Sequence, residues 1–227
     1  MRNLTLALFA VASVSAFAQS EIDVSNRSQF IQRSGYKLES GNDRETYFGV
    51  SGNTSPGATG FGLNYYIART SSFYGFFVNQ TTFSSNTAIN AGFYGERFVY
   101  SFGGDEGEGH TARLIYGFNH TKPSFNYSTV GVTVASPDFD GFGYNATFSW
   151  IKTWSNGSDN DGVLADLGFY YGMPDTNCRF DAGYIFESGL AGEDDYFLRM
   201  SKNVGDATLR LKHMKNNRWG FDVIIPF

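Results

Sequence analysis

In the last ten residues of the chain, RWGFDVIIPF (218–227), an apolar set of side chains alternates with a less apolar one with a period of two. Every second residue is apolar, namely Trp219, Phe221, Val223, Ile225 and Phe227. Because successive side chains of a β-strand point to opposite faces of the sheet, this stretch predicts a strand with one apolar face. The rest of the sequence indicates what that face contacts.

The same alternation recurs upstream, between turn signals rich in Gly, Asn, Asp, Pro and Ser. Soluble strands have about 5 to 6 residues, whereas a tilted strand needs about 9 to 11 to cross a bilayer. The expected strands are mostly of the longer kind, and 10 or 14 remain alternatives to a count of twelve. They lie near residues 44–53, 60–70, 72–81, 88–102, 110–121, 124–136, 141–154, 162–173, 177–188, 194–203, 206–215 and 217–227.

The two faces of these strands differ in a way that favours a membrane. The polar face is rich in Gly, Asn and Ser with scattered Arg and Asp, and the other face is aromatic near strand ends, as at Tyr144 and Trp150. Lipid outside, a polar interior and aromatic girdles at the interfaces predict this combination. Closing the sheet pairs every backbone polar group, as lipid requires. The fold is therefore expected to be an all-β, antiparallel, up-and-down transmembrane barrel.

The N-terminal region divides into two parts before the expected barrel of residues 44–227. Residues 1–18 carry Arg2, an apolar run and Ala16-Phe17-Ala18, which is the layout of a secretory signal peptide. Residues 19–43 alternate poorly, so they are interpreted as a periplasmic or lumenal extension. A further strand in this segment is the alternative.

Charge and cysteine content exclude some classes of site. Without Arg2 the chain has 16 Lys and Arg against 22 Asp and Glu, a net charge of −6 with neutral histidine, which disfavours nucleic acid as a partner. The single cysteine, Cys178, excludes an intrachain disulfide and a multi-cysteine metal site. We expect no cofactor, no metal and no catalytic residues.

The signal peptide, the long alternating strands and the terminal pattern W-x-F-x-V-x-I-x-F together resemble a bacterial outer-membrane β-barrel protein of the small porin-like kind. In that family the terminal aromatic residue and the apolar residues before it form the assembly signal. The resemblance implies a multi-pass barrel in the bacterial outer membrane, with the lipid bilayer, lipopolysaccharide and the barrel-assembly machinery as partners, and leaves the oligomeric state open. The matching residues are Trp219, Phe221, Val223, Ile225 and Phe227.

The register of the last hairpin predicts what lines the lumen. A three-residue turn at 215–217 places Leu211 opposite Phe221 outside and Arg210 opposite Asp222 inside. A twelve-stranded barrel leaves a bore of about 12 Å at most after side chains are subtracted. Alternate positions on these and the neighbouring strands share the inward face with Arg210 and Asp222. The candidate lumenal and selectivity residues on that face are Arg179, Asp181, Glu187, Arg199, Arg210, Lys212, Arg218 and Asp222.

Closely spaced lumenal charges select the ions that enter a narrow pore. The sequence therefore predicts a small porin-like channel for passive diffusion of small hydrophilic solutes, with anions as the candidate class. A non-conducting structural or surface-presenting barrel, stiffened by the same charges, is the alternative. A lipid-modifying enzyme is a remote third possibility. His120 and His213 are near the rim, but neither has a Ser two residues away on the same face.

The assembly signal generates the first prediction. Deleting Phe227 is expected to lower the amount of protein in the outer membrane of cells, because the terminal aromatic residue matches the family's signal. Refolding of the purified chain in detergent should change little, since a terminal side chain at the rim buries little surface. Quantitative immunoblotting of membranes measures the level in cells, and the refolding yield in detergent is measured separately. Normal membrane levels of the deletion variant would contradict the resemblance.

Overall fold

A computed structural model of the chain describes residues 45–69, 72–83, 86–103, 110–122, 125–136, 141–155, 158–189 and 194–226. The expected signal peptide, the expected extension at 19–43 and Phe227 lie outside the described residues. The described part contains twelve strands and two short 3-10 turns, Pro174–Thr176 and Lys215–Asn217. The strands are β1 (Glu45–Ser55), β2 (Ala58–Arg69), β3 (Ser72–Phe83), β4 (Thr87–Phe102), β5 (His110–Lys122), β6 (Phe125–Ala135), β7 (Phe142–Ser155), β8 (Ser158–Met173), β9 (Cys178–Ser188), β10 (Asp195–Val204), β11 (Ala207–Met214) and β12 (Arg218–Pro226).

The twelve strands form one closed antiparallel barrel in which each strand pairs with its neighbours in sequence. β1 closes the ring by pairing with β12, with Tyr47 opposite Pro226 and Thr54 opposite Trp219. A closed ring has no edge strand, so the ladder satisfies the backbone groups of all the strands. The expected all-β, up-and-down barrel of twelve strands is confirmed. Among the described residues no helix is long and apolar enough to cross a bilayer.

The two ends of the barrel carry different turns. β1 begins and β12 ends at what we call the termini end, and the β1–β2 and β11–β12 turns lie at the opposite, hairpin end. Asn216 and Asn217 have φ angles of 60° and 57°, a left-handed conformation that Asn tolerates better than most residues. The three-residue turn expected at 215–217 is therefore confirmed.

One expected loop is shorter than its sequence indicated. The strands expected near 141–154 and 162–173 are separated by the turn signals SNGSDNDG, but β7 continues to Ser155 and β8 already begins at Ser158. Ser155 pairs with Ser158, and Lys152 on β7 forms an ion pair of 3.4 Å with Asp159 on β8. This hairpin carries polar side chains on both faces, so it lacks the alternation by which strands are recognised.

The outward face is covered with large apolar side chains that are exposed in the isolated chain. Phe142 and Phe148, for example, have 66% and 60% of their surface exposed. At the hairpin end His213 packs against Trp219, with ring centroids 4.5 Å apart, and against Tyr196 at 6.1 Å. Aromatic residues of this kind favour the level of lipid headgroups. The outer face thus has the composition of a lipid-contacting surface with an aromatic girdle.

The inward face of β1–β4 and β12 carries an apolar group that the sequence did not predict. We call it the lumenal aromatic cluster. In its centre Phe73 is fully buried, with ring centroids 5.7 Å from Tyr66 and 5.8 Å from Tyr94. All its members are at most 8% exposed: Tyr47, Tyr66, Ala68, Phe73, Phe77, Tyr94 and Ile224.

Glycines on the inner wall accommodate the rings of this cluster. Gly75 lies opposite Tyr94, and a Cβ atom at Gly75 would be only 2.3 Å from the Cζ atom of that ring. Gly92 lies opposite Phe77, and its Cβ would be 2.7 Å from the ring of Phe77. The two rings therefore lie flat against the wall, which leaves more of the lumen clear than rings directed at the barrel axis.

The packing of Tyr94 on Gly75 gives the second prediction. The Gly75→Ala variant should lose about 1 to 3 kcal/mol of unfolding free energy, because the methyl group forces the ring off the wall. Denaturant titration in detergent, followed by tryptophan fluorescence and by heat-dependent gel mobility, measures this loss.

Gly52→Ala is the matched control, since the nearest atom to its Cβ would be the Gly60 carbonyl oxygen at 3.7 Å. Equal stability of the two variants would show that the ring of Tyr94 does not lie on Gly75.

Candidate functional site in the barrel lumen

A buried carboxylate organises the inner wall of β9 and β10. Asp181 on β9 accepts a hydrogen bond from Nε of Arg179, 3.1 Å away on the same strand, through one oxygen. Its other oxygen accepts from Nε of Arg199 on β10 at 3.3 Å, because Arg199 lies directly opposite Asp181 in the ladder. Two guanidinium groups therefore share one carboxylate, and all three side chains are almost completely buried.

A second ion pair lies on the next two strands. Arg210 on β11 lies opposite Asp222 on β12, and its Nε and Nη2 atoms are 3.1 and 3.0 Å from the same carboxylate oxygen. Arg210 thus extends the charged wall to β11, which pairs with β12, the strand whose Ile224 belongs to the lumenal aromatic cluster.

Aromatic rings support the cations of this wall. The guanidinium carbon of Arg179 lies 3.4 Å from the ring centroid of Tyr170, which is a cation–π contact. The ring of Phe197 lies 5.7 Å from the guanidinium carbon of Arg199 and 5.5 Å from Nζ of Lys212. Such contacts hold the long side chains along the wall and limit their motion into the bore.

At the hairpin end a third pair borders the mouth of the lumen. Arg218 pairs with Asp195, and its Nε donates a hydrogen bond of 3.1 Å to the Lys215 carbonyl oxygen. A cavity of about 450 Å³ opens here, lined from the β1–β2 turn and Phe83 across to the β11–β12 turn. The mouth beside β10–β12 and β1–β3 therefore has room for a small solute.

The eight lumenal residues expected from the sequence all lie on the inner face. Six of them form what we call the charge cluster, with four cations and two carboxylates and hence a net charge of +2: Arg179, Asp181, Arg199, Arg210, Lys212 and Asp222. Arg218 is near the hairpin end with Asp195. Glu187 is also near that end, where its backbone N–H donates to Asp194.

Several inner-wall residues were missed by sequence reasoning. Asp195 lies on the same face as Arg199 in the strand expected near 194–203, but it begins that strand at the end of an acidic run, so it was not distinguished from a turn residue. Glu96 on β4 lies 3.6 Å from Arg113 on β5, which is paired in the ladder with Phe98, the residue where a bulge begins. No signal in the sequence alone indicates that bulge.

The opposite wall, on β5–β8, is lined by short polar side chains that we call the polar strip. Asn145 donates to one oxygen of Asp166 at 3.2 Å, and the hydroxyl groups of Thr147 and Thr133 are 3.1 Å apart. Every member is at most 5% exposed: Asn119, Thr129, Thr133, Asn145, Thr147, Ser149 and Asp166. Asp166 is its single formal charge, so this wall differs in kind from the charge cluster.

The two rim histidines do not form a nucleophilic site in the structure. His120 hydrogen bonds to the Asn126 side chain at 2.8 Å, and His213 packs between aromatic rings. Ser124 lies outside the described residues, and Ser128 lies opposite Phe118 on the neighbouring strand. Within the described ranges no group of three or more His, Cys, Asp or Glu side chains is placed to hold a metal ion.

The shared carboxylate gives the third prediction. The Asp181→Asn variant should lose about 3 kcal/mol of unfolding free energy, because two buried guanidinium groups lose their counter-charge. Asp159→Asn is the control, since Asp159 is largely exposed and its partner Lys152 is partly exposed, so the loss should be within about 1 kcal/mol.

Urea unfolding in lipid vesicles measures both variants of this pair. A loss no larger for Asp181→Asn than for Asp159→Asn would show that water, rather than Asp181, compensates the two arginines.

Comparison with known proteins gives matches of structure only. No family model and no curated protein matches the sequence. The KdgM porin matches with a TM-score of 0.64 and 8% identity, over 80% of this chain and 99% of that one. The KdgM porin in complex with disordered oligogalacturonate matches with a TM-score of 0.61 and 7% identity, over 80% and 99%.

Two further structures match over most of their length. The NanC porin has a TM-score of 0.57 and 8% identity, over 78% of this chain and 97% of that chain. The translocator domain of the autotransporter NalP from Neisseria meningitidis has a TM-score of 0.55 and 11% identity, over 94% and 98%. At these identities the likeness concerns the fold, so the chain has the fold of a small porin-like outer-membrane barrel.

Proposed function

We propose that the protein is a small porin-like channel of the bacterial outer membrane, through which small hydrophilic solutes diffuse passively and anions are preferred. The charge cluster carries this proposal, because four cations against two carboxylates give this part of the inner wall a net charge of +2. Rings of fixed charge in a narrow pore raise the local concentration of ions of opposite sign.

The arrangement of the charge cluster suits transit better than tight binding. Asp222 retains partial exposure, with 29% of its side chain accessible, whereas Asp181 is fully buried. The buried groups anchor the wall, and the accessible ones face the solute path. Conduction requires contacts that are favourable enough for entry and weak enough for exit.

The structural neighbours also support a preference for anionic solutes. The KdgM porin has been solved in complex with disordered oligogalacturonate. Galacturonate is a carboxylate, so a barrel of this fold with a cationic inner wall is compatible with acidic solutes. The exposed aromatic outer face supports a location in the lipid bilayer. Lipopolysaccharide contacts and use of the barrel-assembly machinery belong to the same proposal, as does the absence of enzymatic activity.

A non-conducting structural barrel is the second candidate, and one observation favours it. The lumenal aromatic cluster is nearly dry, with Phe73 and Tyr47 at most 1% exposed, so part of the bore near the termini end is filled. In that case the ion pairs serve to stiffen the barrel. The two functions differ in whether ions cross a bilayer through the protein.

Ion selectivity supplies the fourth prediction. In planar bilayers with a salt gradient, Asp222→Asn should shift the reversal potential toward anions and Arg210→Gln toward cations. A unit charge about 6 Å from a permeating ion in water-like dielectric contributes about 0.7 kcal/mol, so the permeability ratio should change about threefold.

The outer-face pair Lys152 and Asp159 provides matched controls, because Lys152→Gln and Asp159→Asn make the same charge changes away from the lumen. These controls should leave the reversal potential unchanged. Silent bilayers for every variant, together with lower stability of the Arg210 and Asp222 variants, would favour the structural barrel. Equal shifts for lumenal and outer-face variants would contradict a selectivity role.

A further inference from the structure

Two arginines lie on the outer face of the barrel at the termini end. Arg69 ends β2 and Arg97 is on β4, and each is exposed and in phase with lipid-facing residues of its strand, such as Leu63 and Phe93. Ser72, the first residue of β3, lies between them in the ladder, opposite Arg69 on one side and Arg97 on the other. Two cations therefore flank one hydroxyl group on the surface that faces the bilayer.

An aromatic stack marks the level of lipid headgroups beside these arginines. Past Arg97, β4 carries Tyr100 and Phe102, whose ring centroids are 6.4 Å apart. Phe102 stacks on His110 of β5 at 5.4 Å, and His110 contacts Tyr144 at 5.6 Å. Aromatic rings of amphipathic residues concentrate at the membrane–water interface. Arg97 thus lies on the hydrocarbon side of this stack, where a cation without a counter-charge is unfavourable.

The outward charges differ between the two ends of the barrel. At the hairpin end they include carboxylates, because Asp159 and Asp161 on β8 lie beside Lys152 on β7. On the described strands, the charged side chains that are directed outward at the termini end are all cations, namely Arg69, Arg97 and Lys202. The ion pairs found among the described residues include neither of the two arginines. The termini end therefore presents positive charge to the bilayer.

The spacing of the two arginines suits an anion with several oxygen atoms. Their strands lie on either side of β3, so their Cα atoms are about 10 Å apart, and two long side chains can converge on an anion above Ser72. Guanidinium groups bind phosphate oxygens through paired N–H donors, and a serine hydroxyl supplies one more donor. Arg97 can reach the headgroup level because its long apolar stem extends along the barrel surface.

The surface next to the arginines, toward the middle of the barrel, suits acyl chains. Phe76 and Phe93 lie opposite each other on β3 and β4 and are 47% and 41% exposed. Between them and the arginines the ring of Tyr116 lies flat over Gly95, since a Cβ atom at Gly95 would be 2.5 Å from its Cζ atom. Cations at the rim and an apolar surface below them follow the order of headgroup and chains in a phospholipid.

We propose that Arg69, Ser72 and Arg97 bind the phosphate of an anionic phospholipid at the termini end of the barrel, with its acyl chains on Phe76 and Phe93. The bound phosphate supplies the counter-charge that Arg97 requires at its depth in the bilayer. This inference goes beyond the proposed function. It requires only that the barrel lies in a bilayer, and it holds whether or not the lumen conducts ions.

The extent of the cationic surface favours a phospholipid over lipopolysaccharide. Lipopolysaccharide carries several phosphates on a wide sugar headgroup, so it needs cations spread over several strands. The third outward cation at the termini end, Lys202, is on β10, which is separated from β2 by β1, β12 and β11. Two arginines around one serine match a single phosphate group.

Native mass spectrometry of the purified full chain in detergent tests this site. Phosphatidylglycerol is added at increasing concentrations, and the fraction of protein with bound lipid gives the affinity. The double variant Arg69→Gln/Arg97→Gln should bind phosphatidylglycerol about tenfold more weakly or worse, because both charge-assisted contacts are lost. Heat-dependent gel mobility checks that each variant is folded. The single variants, which perturb the barrel less, should each bind about threefold more weakly.

A charge-matched control and a second lipid make the result specific. Lys122→Gln/Lys202→Gln removes two exposed outward cations elsewhere, one at each end, and should bind phosphatidylglycerol as the parent does. Phosphatidylcholine with the same acyl chains carries no net charge. It should bind the parent weakly, and the arginine variants should bind it no differently.

Three results would overturn the proposal. Equal losses for the arginine and lysine double variants would show a response to net charge alone. An equal loss for phosphatidylcholine would show that apolar contacts, rather than the anionic headgroup, hold the lipid. A larger loss for diphosphorylated lipid A than for phosphatidylglycerol would assign the arginines to lipopolysaccharide instead.

Discussion

The structure depends on one constraint: a chain in lipid has to pair every backbone N–H and C=O group within itself. The twelve strands meet it by closing β1 onto β12, which leaves no unpaired edge. Closure also fixes the direction of every side chain, because alternate residues of a strand must point to lipid or to the lumen. Which side chains meet in the lumen therefore depends on the alternation within each strand and on the register between neighbouring strands.

The inner charges are found in pairs because the alternation of each strand directs them into a partly dry lumen. A lumenal wall that mixes buried and accessible positions cannot hold an isolated buried cation without large cost. Asp181 forms ion pairs with two guanidinium groups where the wall is most buried. Asp222 pairs with one guanidinium group where the wall is partly exposed. Lys212 lies against the ring of Phe197 and directly opposite Arg199 in the ladder. On β10 and β11 two cations therefore lie side by side.

Much of this could be predicted from the sequence, and the limits have physical causes. The last hairpin was predictable in register because only a three-residue turn brings Leu211 and Phe221 to the same face. The lumenal aromatic cluster was not, because β3 carries aromatics on both faces, with Phe73 and Phe77 inside and Phe76 outside. The cluster can be recognised only from the pairing of neighbouring strands, which places Gly75 opposite Tyr94. The polar strip likewise needs the β7–β8 register that sets Thr147 opposite Asp166.

The lumen is consequently not a uniform tube but three walls with different side-chain lengths. Long aromatic side chains fill the side of β1–β4, long cationic ones line β9–β12, and short hydroxyl and amide side chains line β5–β8. In a barrel of twelve strands the bore is comparable to two long side chains, so composition rather than strand number sets the open cross-section. A wall of short side chains leaves space beside it. Since the ladder of residues 45–226 is already closed, the length of the inward side chains changes the width of the pore without changing the backbone ring.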